Sequence, residues 1–166
     1  MRVGGTGPAD VWAVGSDDIF HYDGTSWRTV APQLPLERKT GVRGFGSGQA
    51  IITTNKGNVL RFDGQSWFHT RAASVYLSQP WGTAANQLFA VGSKGTIVHY
   101  DGTSWTRMSV PTNEDLLGVW GASSSDVFAV GRDGTIVHYD GSRWTKMDSG
   151  VAPAPANSGD LVAVVG

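Results

Sequence analysis

Three histidines stand at the same place in a repeated phrase and are the first candidates for chemistry. His21, His99 and His138 each precede Tyr-Asp-Gly. An imidazole can ligate a metal ion or transfer a proton near neutral pH. The alternative is a structural network in which the histidine bonds a backbone carbonyl and the aspartate accepts from N–H groups of the turn. We favour the structural role, because one active site does not need three copies and Arg61 replaces the histidine in the second copy.

Other catalytic arrangements find little support in the chain. Asp17 and Asp18 are adjacent, so on a strand their carboxylates would point apart and make a poor acid/base pair. No Gly-rich phosphate loop precedes a helical segment, and no His-x-x-x-His or Glu-x-x-His spacing occurs. The absence of cysteine excludes disulfides and thiolate metal sites. We therefore predict a protein that is not an enzyme and needs no cofactor or metal.

Tryptophans are the second group of candidates, because an indole ring is a large apolar surface with a polar edge. One set closes the repeats and comprises Trp27, Trp67, Trp105 and Trp144. A second position, in an apolar run, holds Phe45, Trp81 and Trp120, with Gly4 and Val165 in the terminal copies. We expect the second set to pack between neighbouring repeats, each ring burying about 150–250 Å². Platforms for sugar stacking are the alternative for both sets, and the closing tryptophans, near an outer edge, are the more exposed candidates.

The elements that position these residues come from a phrase that occurs four times. The copies occupy 10–27, 49–67, 87–105 and 126–144, and their closing tryptophans are 40, 38 and 39 residues apart. A period near forty residues built from short β-type runs is typical of a propeller. The fourth copy divides into strands A (116–121), B (126–131), C (135–139) and D (144–147), with an Asp-Gly hairpin between B and C. Strand B is continuously apolar, as in a strand covered on both faces, and strand D suits an outer edge.

We therefore predict an all-β protein, a β-propeller with four blades of four antiparallel strands in a single domain, 1–166. The repeats run at about 3–40, 41–74, 75–114 and 115–150, and 160–166 forms an extra A-type strand. In one interpretation this strand completes the first blade, closes the ring and leaves Val3-Gly4-Gly5 displaced or vestigial. In the other, the chain is part of a larger ring or self-assembles into one. We favour the second, because the chain both starts and stops inside repeat sequence. An incomplete ring would expose apolar blade faces and should associate.

Composition narrows the class of partner. The formal net charge is −1 and only 16% of residues are charged, so nothing favours a nucleic-acid partner. No apolar run is long enough to insert across a membrane. Glu37-Arg38-Lys39 is interpreted as a solvated loop. The proline-bearing connections 31–40 and 148–160 differ from the other copies, so they are where we expect partner-specific contacts. No leader precedes the first repeat, which fits a cytosolic chain or one whose leader has been removed.

The phrase DVFAVG…GTIVHYDGTSW resembles a repeat of bacterial secreted and surface-associated proteins that are predicted to form β-propellers. The resemblance covers nearly the whole chain and implies a non-catalytic binding or scaffold module at the cell surface, outside the cell or in the periplasm. Asp-Gly-x-x-Trp is also similar to the tail of the Asp-box turn of sialidase-type propellers, but the serine that opens that box is missing. We expect binding of a protein partner through loops on one rim. The alternative is a multivalent lectin that binds glycans with the closing tryptophans.

Overall fold

The computed structural model describes residues 1–30, 37–150 and 160–161, and regular structure in these residues is almost wholly β-strand. Four sheets follow one another along the chain, each with four strands in sequential order. The first contains β1 (Arg2–Gly7), β2 (Asp10–Val14), β3 (Ile19–Tyr22) and β4 (Trp27–Thr29). The second contains β5 (Lys39–Gly46), β6 (Gln49–Thr54), β7 (Asn58–Phe62) and β8 (Trp67–Arg71). The third contains β9 (Leu77–Ala84), β10 (Gln87–Gly92), β11 (Thr96–Tyr100) and β12 (Trp105–Arg107). The fourth contains β13 (Leu116–Ser123), β14 (Asp126–Gly131), β15 (Ile136–Tyr139) and β16 (Trp144–Met147).

Tight antiparallel hairpins explain why each repeat forms one sheet. In the fourth sheet the B–C turn places Asp133 at φ 51° and Gly134 at φ 64°, the pair of positive angles that a two-residue hairpin of this twist requires. The predicted Asp-Gly hairpin is therefore confirmed. Strands B and D of this copy have the predicted bounds, strand A continues two residues further, to Ser123, and strand C begins one residue later, at Ile136.

Apolar side chains from strands A, B and C, joined in the second unit by Trp144 of strand D, form a separate core in each of two compact units, Met1–Pro80 and Trp81–Gly166. The core of the first unit comprises Trp12, Val14, Ile19, Val42, Ala50, Ile52 and Leu60. The core of the second comprises Trp81, Phe89, Val91, Ile97, Leu116, Val119, Val127, Ala129, Val137 and Trp144. Strand B supplies residues to both cores, and β4 is exposed along its whole length. The expected contrast between a covered strand B and an exposed strand D holds in the first sheet, whereas Trp144 of strand D in the fourth sheet is buried.

The N-terminal segment has a regular place in the first sheet. Val3, Gly4 and Gly5 pair with strand β2, with Gly4 opposite Trp12. They are therefore neither displaced nor vestigial, and the alternative that removed them from the first blade is wrong on that point. Of the predicted extra strand at 160–166, only Asp160 and Leu161 lie within the described residues, so the strand stays a prediction. Among the described residues there is no helix with the length and apolar character to cross a membrane.

Candidate recognition surface

The Asp-Gly-x-x-Trp turn is a structural device in all four sheets. In each turn the aspartate Oδ1 accepts hydrogen bonds of 2.8–2.9 Å from the backbone N–H groups two and three residues further on. The four residues are Asp23, Asp63, Asp101 and Asp140. These bonds hold the pKa of each carboxyl below its usual value, and at Asp140 the Ser142 hydroxyl and the turn N–H groups lower the pKa to about 2. The turn role predicted for the aspartate is what the structure shows.

The repeated histidines bond to a side chain and not to a backbone carbonyl, which corrects the expected partner. Nε2 of His21 lies 2.8 Å from Asp10 Oδ1, and Nε2 of His138 lies 2.7 Å from Asp126 Oδ1. His99 has a weaker partner, Gln87 Oε1 at 3.3 Å, and burial lowers its pKa. Each of these acceptors is the first residue of a strand B and lies next to the turn that follows strand C. The contacts are those of a structural network.

His21 and His138 are also stacked on the aromatic rings that face them across the sheet, and His99 lies tilted against Phe89. Trp12 lies 4.2 Å from His21, and Phe128 lies 4.3 Å from His138, with ring planes 23° and 25° apart. Burial raises the pKa of Asp10, but hydrogen bonds from Thr6, His21 and Trp12 outweigh that effect and leave the pKa below its usual value. A group of three histidine or acidic side chains able to hold a metal ion is not found among the described residues.

The prediction that Phe45 holds the same position of strand A as Trp81 and Trp120 is wrong. Trp120 lies opposite Phe128 on strand B, and the residue in the same register of the second sheet is Arg43, opposite Ile51. Phe45 lies two residues further on, in a bulge between Gly44 and Gly46 that the first and fourth sheets share. The Arg43 guanidinium is half-buried, and burial lowers its pKa. Its carbon lies 6.0 Å from the Phe45 ring centre.

The six candidate tryptophans have different environments. Trp27 is 52% exposed, whereas Trp144 is 5% exposed and donates from Nε1 to the sulfur of Met108 at 3.3 Å. Trp67 and Trp105 are half-buried, Trp81 is buried and Trp120 is half-buried. An indole with both faces packed cannot stack on a sugar. Equivalent sugar sites at all four closing tryptophans are therefore not what the structure presents.

One end of every sheet collects the elements that differ between repeats. Because the four strands alternate in direction, the B–C turns and the connections between sheets lie at one end, and the A–B and C–D turns lie at the other. We call the end with the B–C turns and connections the connection rim. In the first unit it holds the turn 15–18, the turn 55–57 and the connections that lead to β5 and β9. The connection rim is where partner-specific residues should be sought.

A cavity of about 280 Å³ opens on the connection rim of the first unit. It is lined by residues from the start of β1, the B–C turn of the first sheet, the entry to β5 and the connection before β9. These are Met1, Arg2, Gly15, Ser16, Arg38, Lys39, Thr40 and Tyr76. Three of them are cationic and none is acidic. The cavity thus has the electrostatic character of an anion site.

The three cations differ in how they are held. Lys39 is 7% exposed, and its Nζ donates to the carbonyl oxygens of Ser16 and Asp17 at 3.3 and 3.2 Å. Arg2 and Arg38 are exposed. Within residues 1–30, 37–150 and 160–161, none of the three cations forms an ion pair with a carboxylate. Lys39 begins strand β5, so the expectation that this segment is a solvated loop is wrong for that residue.

The walls of the cavity are anchored by buried polar contacts. Glu37 accepts two hydrogen bonds from Asn58 Nδ2, at 2.7 and 2.8 Å, and one from Thr54 Oγ1 at 2.9 Å. Burial raises the pKa of Glu37, but these hydrogen bonds outweigh that effect and leave the pKa below its usual value, so the carboxylate stays ionised. Thr40 donates from Oγ1 to the carbonyl of Leu77 at 2.6 Å, next to Tyr76. The cationic residues therefore project from a framework that is already ordered.

Sequence reasoning pointed at the connection 31–40 but not at the residues that line the cavity. Residues 31–36 lie outside the described residues, as do 151–159 of the second proline-bearing connection. Arg2, Arg38, Lys39 and Tyr76 are scattered along the chain and do not recur in other repeats. The available signal was the pair Arg38-Lys39 in a connection that does not match the others.

Comparisons with known proteins identify the fold. No protein-family model matches the chain, and no curated protein matches it. Among solved structures, YCF48 bound to D1 peptide is 17% identical with a TM-score of 0.65, covering 87% of this chain and 51% of that one. YCF48 from Cyanidioschyzon merolae is 15% identical with a TM-score of 0.65, covering 87% and 55%. Selenomethionine-substituted virginiamycin B lyase from Staphylococcus aureus is 14% identical with a TM-score of 0.74, covering 89% and 54%.

The likeness extends over most of this chain, which spans about half the length of each of these proteins. At such identities the neighbours establish architecture and not activity. The predicted bacterial secreted repeat family stays a prediction. Together with the four antiparallel four-stranded sheets, the comparisons confirm the predicted fold: the chain is a β-propeller-type protein.

Proposed function

We propose that this chain is a non-catalytic recognition module that binds an acidic segment of another protein in the cavity of the connection rim. The observation that carries the proposal is the lining itself, in which Arg2, Arg38 and Lys39 converge and no acidic residue takes part. Carboxylates satisfy such a set, because arginine offers a planar fork of donors and lysine a compact charge. The burial of Lys39 strengthens its field at the cavity, because less solvent screens it.

The size of the cavity favours a side chain or two of a longer partner over a free small molecule. Its volume, about 280 Å³, lies below the range of about 300–1,000 Å³ that is common for small-molecule pockets. The half-buried ring of Tyr76 adds an apolar wall with a hydroxyl, a combination that protein-binding surfaces often use. A peptide segment could place acidic side chains in the cavity and extend along the variable turns of the rim.

The comparisons are compatible with binding and leave enzymatic activity open. One neighbour of the same fold, YCF48, is described as bound to D1 peptide, and another is a lyase. We assign recognition here because the repeated His, Asp and Trp residues make structural contacts, so they do not form a distinct reactive centre. Action outside the cytoplasm rests on the resemblance of the repeat. Glycan binding remains an alternative at Trp27, whose ring is exposed.

A binding titration tests the proposal. A fluorescein-labelled peptide of alternating Glu and Gly is compared with a peptide in which every Glu is Gln, using fluorescence anisotropy. We expect the Glu peptide to bind more tightly and its affinity to fall as salt is added. We also expect Arg2→Glu and Arg38→Glu each to weaken binding by about three- to tenfold, since each replaces an attraction with a repulsion at a partly exposed site.

Lys146→Glu is the matched control, because Lys146 is an exposed cation on strand β16 of the other unit. It makes the same change in net charge and should leave the affinity within about twofold. Equal binding of the Glu and Gln peptides would contradict the proposal. So would a loss of affinity in Lys146→Glu as large as in the two rim variants, because binding would then follow net charge and not the cavity.

A further inference from the structure

A repeated contact between sheets suggests a second interaction surface, independent of the proposed function. In the first unit, the closing tryptophan of the second sheet packs on the preceding sheet. The Trp67 ring lies 6.3 Å from that of Trp12, with the planes 85° apart, and Trp12 is stacked on His21. The carboxylate of Asp10 completes the contact, because its Oδ2 accepts from the backbone N–H of Gly46 in the second sheet at 3.1 Å. A closing tryptophan is thus seated on an aromatic–histidine pair.

The second unit repeats this arrangement with different residues. Trp144 of the fourth sheet lies 6.3 Å from Phe89 of the third sheet, with the ring planes 79° apart. Phe89 lies 4.6 Å from His99, and Tyr139 lies 5.9 Å from the same Phe89 ring. Two pairs of sheets, one in each unit, thus show the same edge-on contact, whereas the described ring contact of Trp105 is with Tyr100 of its own sheet.

The first sheet carries a closing tryptophan that is not seated in this way. Trp27 holds the same repeat position as Trp67 and Trp144, yet 52% of it is exposed. Its described ring contact is with Tyr22 of the same sheet, at 5.4 Å. The first sheet therefore presents a docking tryptophan whose described ring contact lies within its own sheet.

The fourth sheet carries the complementary receiving surface. Phe128 and His138 are stacked at 4.3 Å, as Trp12 and His21 are, and Asp126 bonds His138 at 2.7 Å, as Asp10 bonds His21. Phe128 is only half-buried. The Asp126 side chain is 47% exposed, whereas that of Asp10 is 13% exposed. The pair and its carboxylate are assembled but less covered than in the first sheet.

We propose that these two surfaces bind each other between two copies of this chain, with Trp27 of one copy seated on Phe128 and His138 of the other. A second copy is the occupant we infer because it carries a tryptophan of the same repeat position with its ring exposed. The internal contacts show that this position fits this pair of rings. Two different surfaces meet, so the contact is head-to-tail, and copies joined by it form a closed ring or an open chain.

The test uses three samples of the chain in sedimentation velocity over a concentration series. We expect the wild-type chain to associate as concentration rises, and Trp27→Ala and Phe128→Ala each to stay monomeric. An equimolar mixture of the two variants should associate again as a one-to-one pair, because one supplies an intact Phe128 surface and the other an intact Trp27. Phe68→Ala, which removes an exposed aromatic ring of the second sheet that belongs to neither surface, should behave as wild type.

Each result decides the inference. A wild-type chain that stays monomeric at every concentration would overturn it. Association that persists in Trp27→Ala, or that the mixture fails to restore, would also overturn it, since the contact would not join these two surfaces. Far-UV circular dichroism checks folding. If Phe128→Ala unfolds, Asp126→Lys takes its place, because it adds charge to the same surface without removing a ring.

Discussion

The packing of Trp144 gives the sharpest prediction about stability. Its ring is 5% exposed and contacts Phe89, Tyr139 and the sulfur of Met108. An indole buries about 150–250 Å², which at about 25 cal/mol per Å² corresponds to about 4–6 kcal/mol as an upper limit. Measured losses for truncation of a buried tryptophan are about 3–5 kcal/mol. We therefore expect Trp144→Ala to lower the free energy of unfolding by about 3–5 kcal/mol.

Trp27→Ala is the matched control, because it makes the same change at the same repeat position where half of the ring is exposed. With half the buried area and one ring partner, its loss should be about 1–2 kcal/mol. Urea unfolding followed by far-UV circular dichroism, at a concentration where both chains are monomeric, measures the difference. Equal losses in the two variants would refute the reasoning that a closing tryptophan stabilises by seating on the preceding sheet.

Two further predictions concern the turns. Gly57 has φ +80°, and a Cβ there would lie 2.3 Å from the Ala73 carbonyl oxygen. We therefore expect Gly57→Ala to lower the free energy of unfolding, measured in urea, by about 2–4 kcal/mol. A variant as stable as wild type would contradict this reasoning. The pKa of Asp140 falls from 3.8 to about 2 on folding, so its contribution to stability is complete above pH 3.8 and is lost as the pH falls through 2. Asp140→Asn keeps the acceptor and removes the titration, so its acid-unfolding curve should be flatter than that of wild type between these values, and an unchanged slope would count against the turn as the cause.

The repeat predicts most of the fold, because its signals are local. Hairpin turns, continuous apolar runs and a closing tryptophan specify a four-stranded sheet without reference to the rest of the chain. The error at Phe45 shows the limit of this logic. Arg43 lies eight residues before its partner Ile51, just as Trp120 lies eight residues before Phe128, and the same bulge follows both residues. Residue type pointed to Phe45, whereas the spacing to strand B identifies Arg43.

The candidate site was hard to predict because its residues are brought together by non-local contacts. Arg2, Lys39 and Tyr76 approach one cavity because strand ends and connections converge at one rim, and no local pattern joins them. The same limit applies to the tryptophans. Trp27 and Trp144 occur in nearly identical phrases, yet their exposure differs because one is seated on a preceding sheet and the other is not. The sequence predicts what a repeat contains, whereas its neighbours determine which residues stay available.

The most direct test of the central claim is to map where an acidic peptide binds. In a two-dimensional ¹⁵N NMR titration with the Glu-Gly peptide, recognition at the connection rim predicts that the amide shifts cluster at Gly15, Ser16, Lys39, Thr40 and Tyr76. The amides of the opposite end, including the turn before Trp27, should stay in place. Shifts centred on that turn, or an absence of shifts at saturating peptide, would contradict the claim that the cavity of the connection rim is the recognition site.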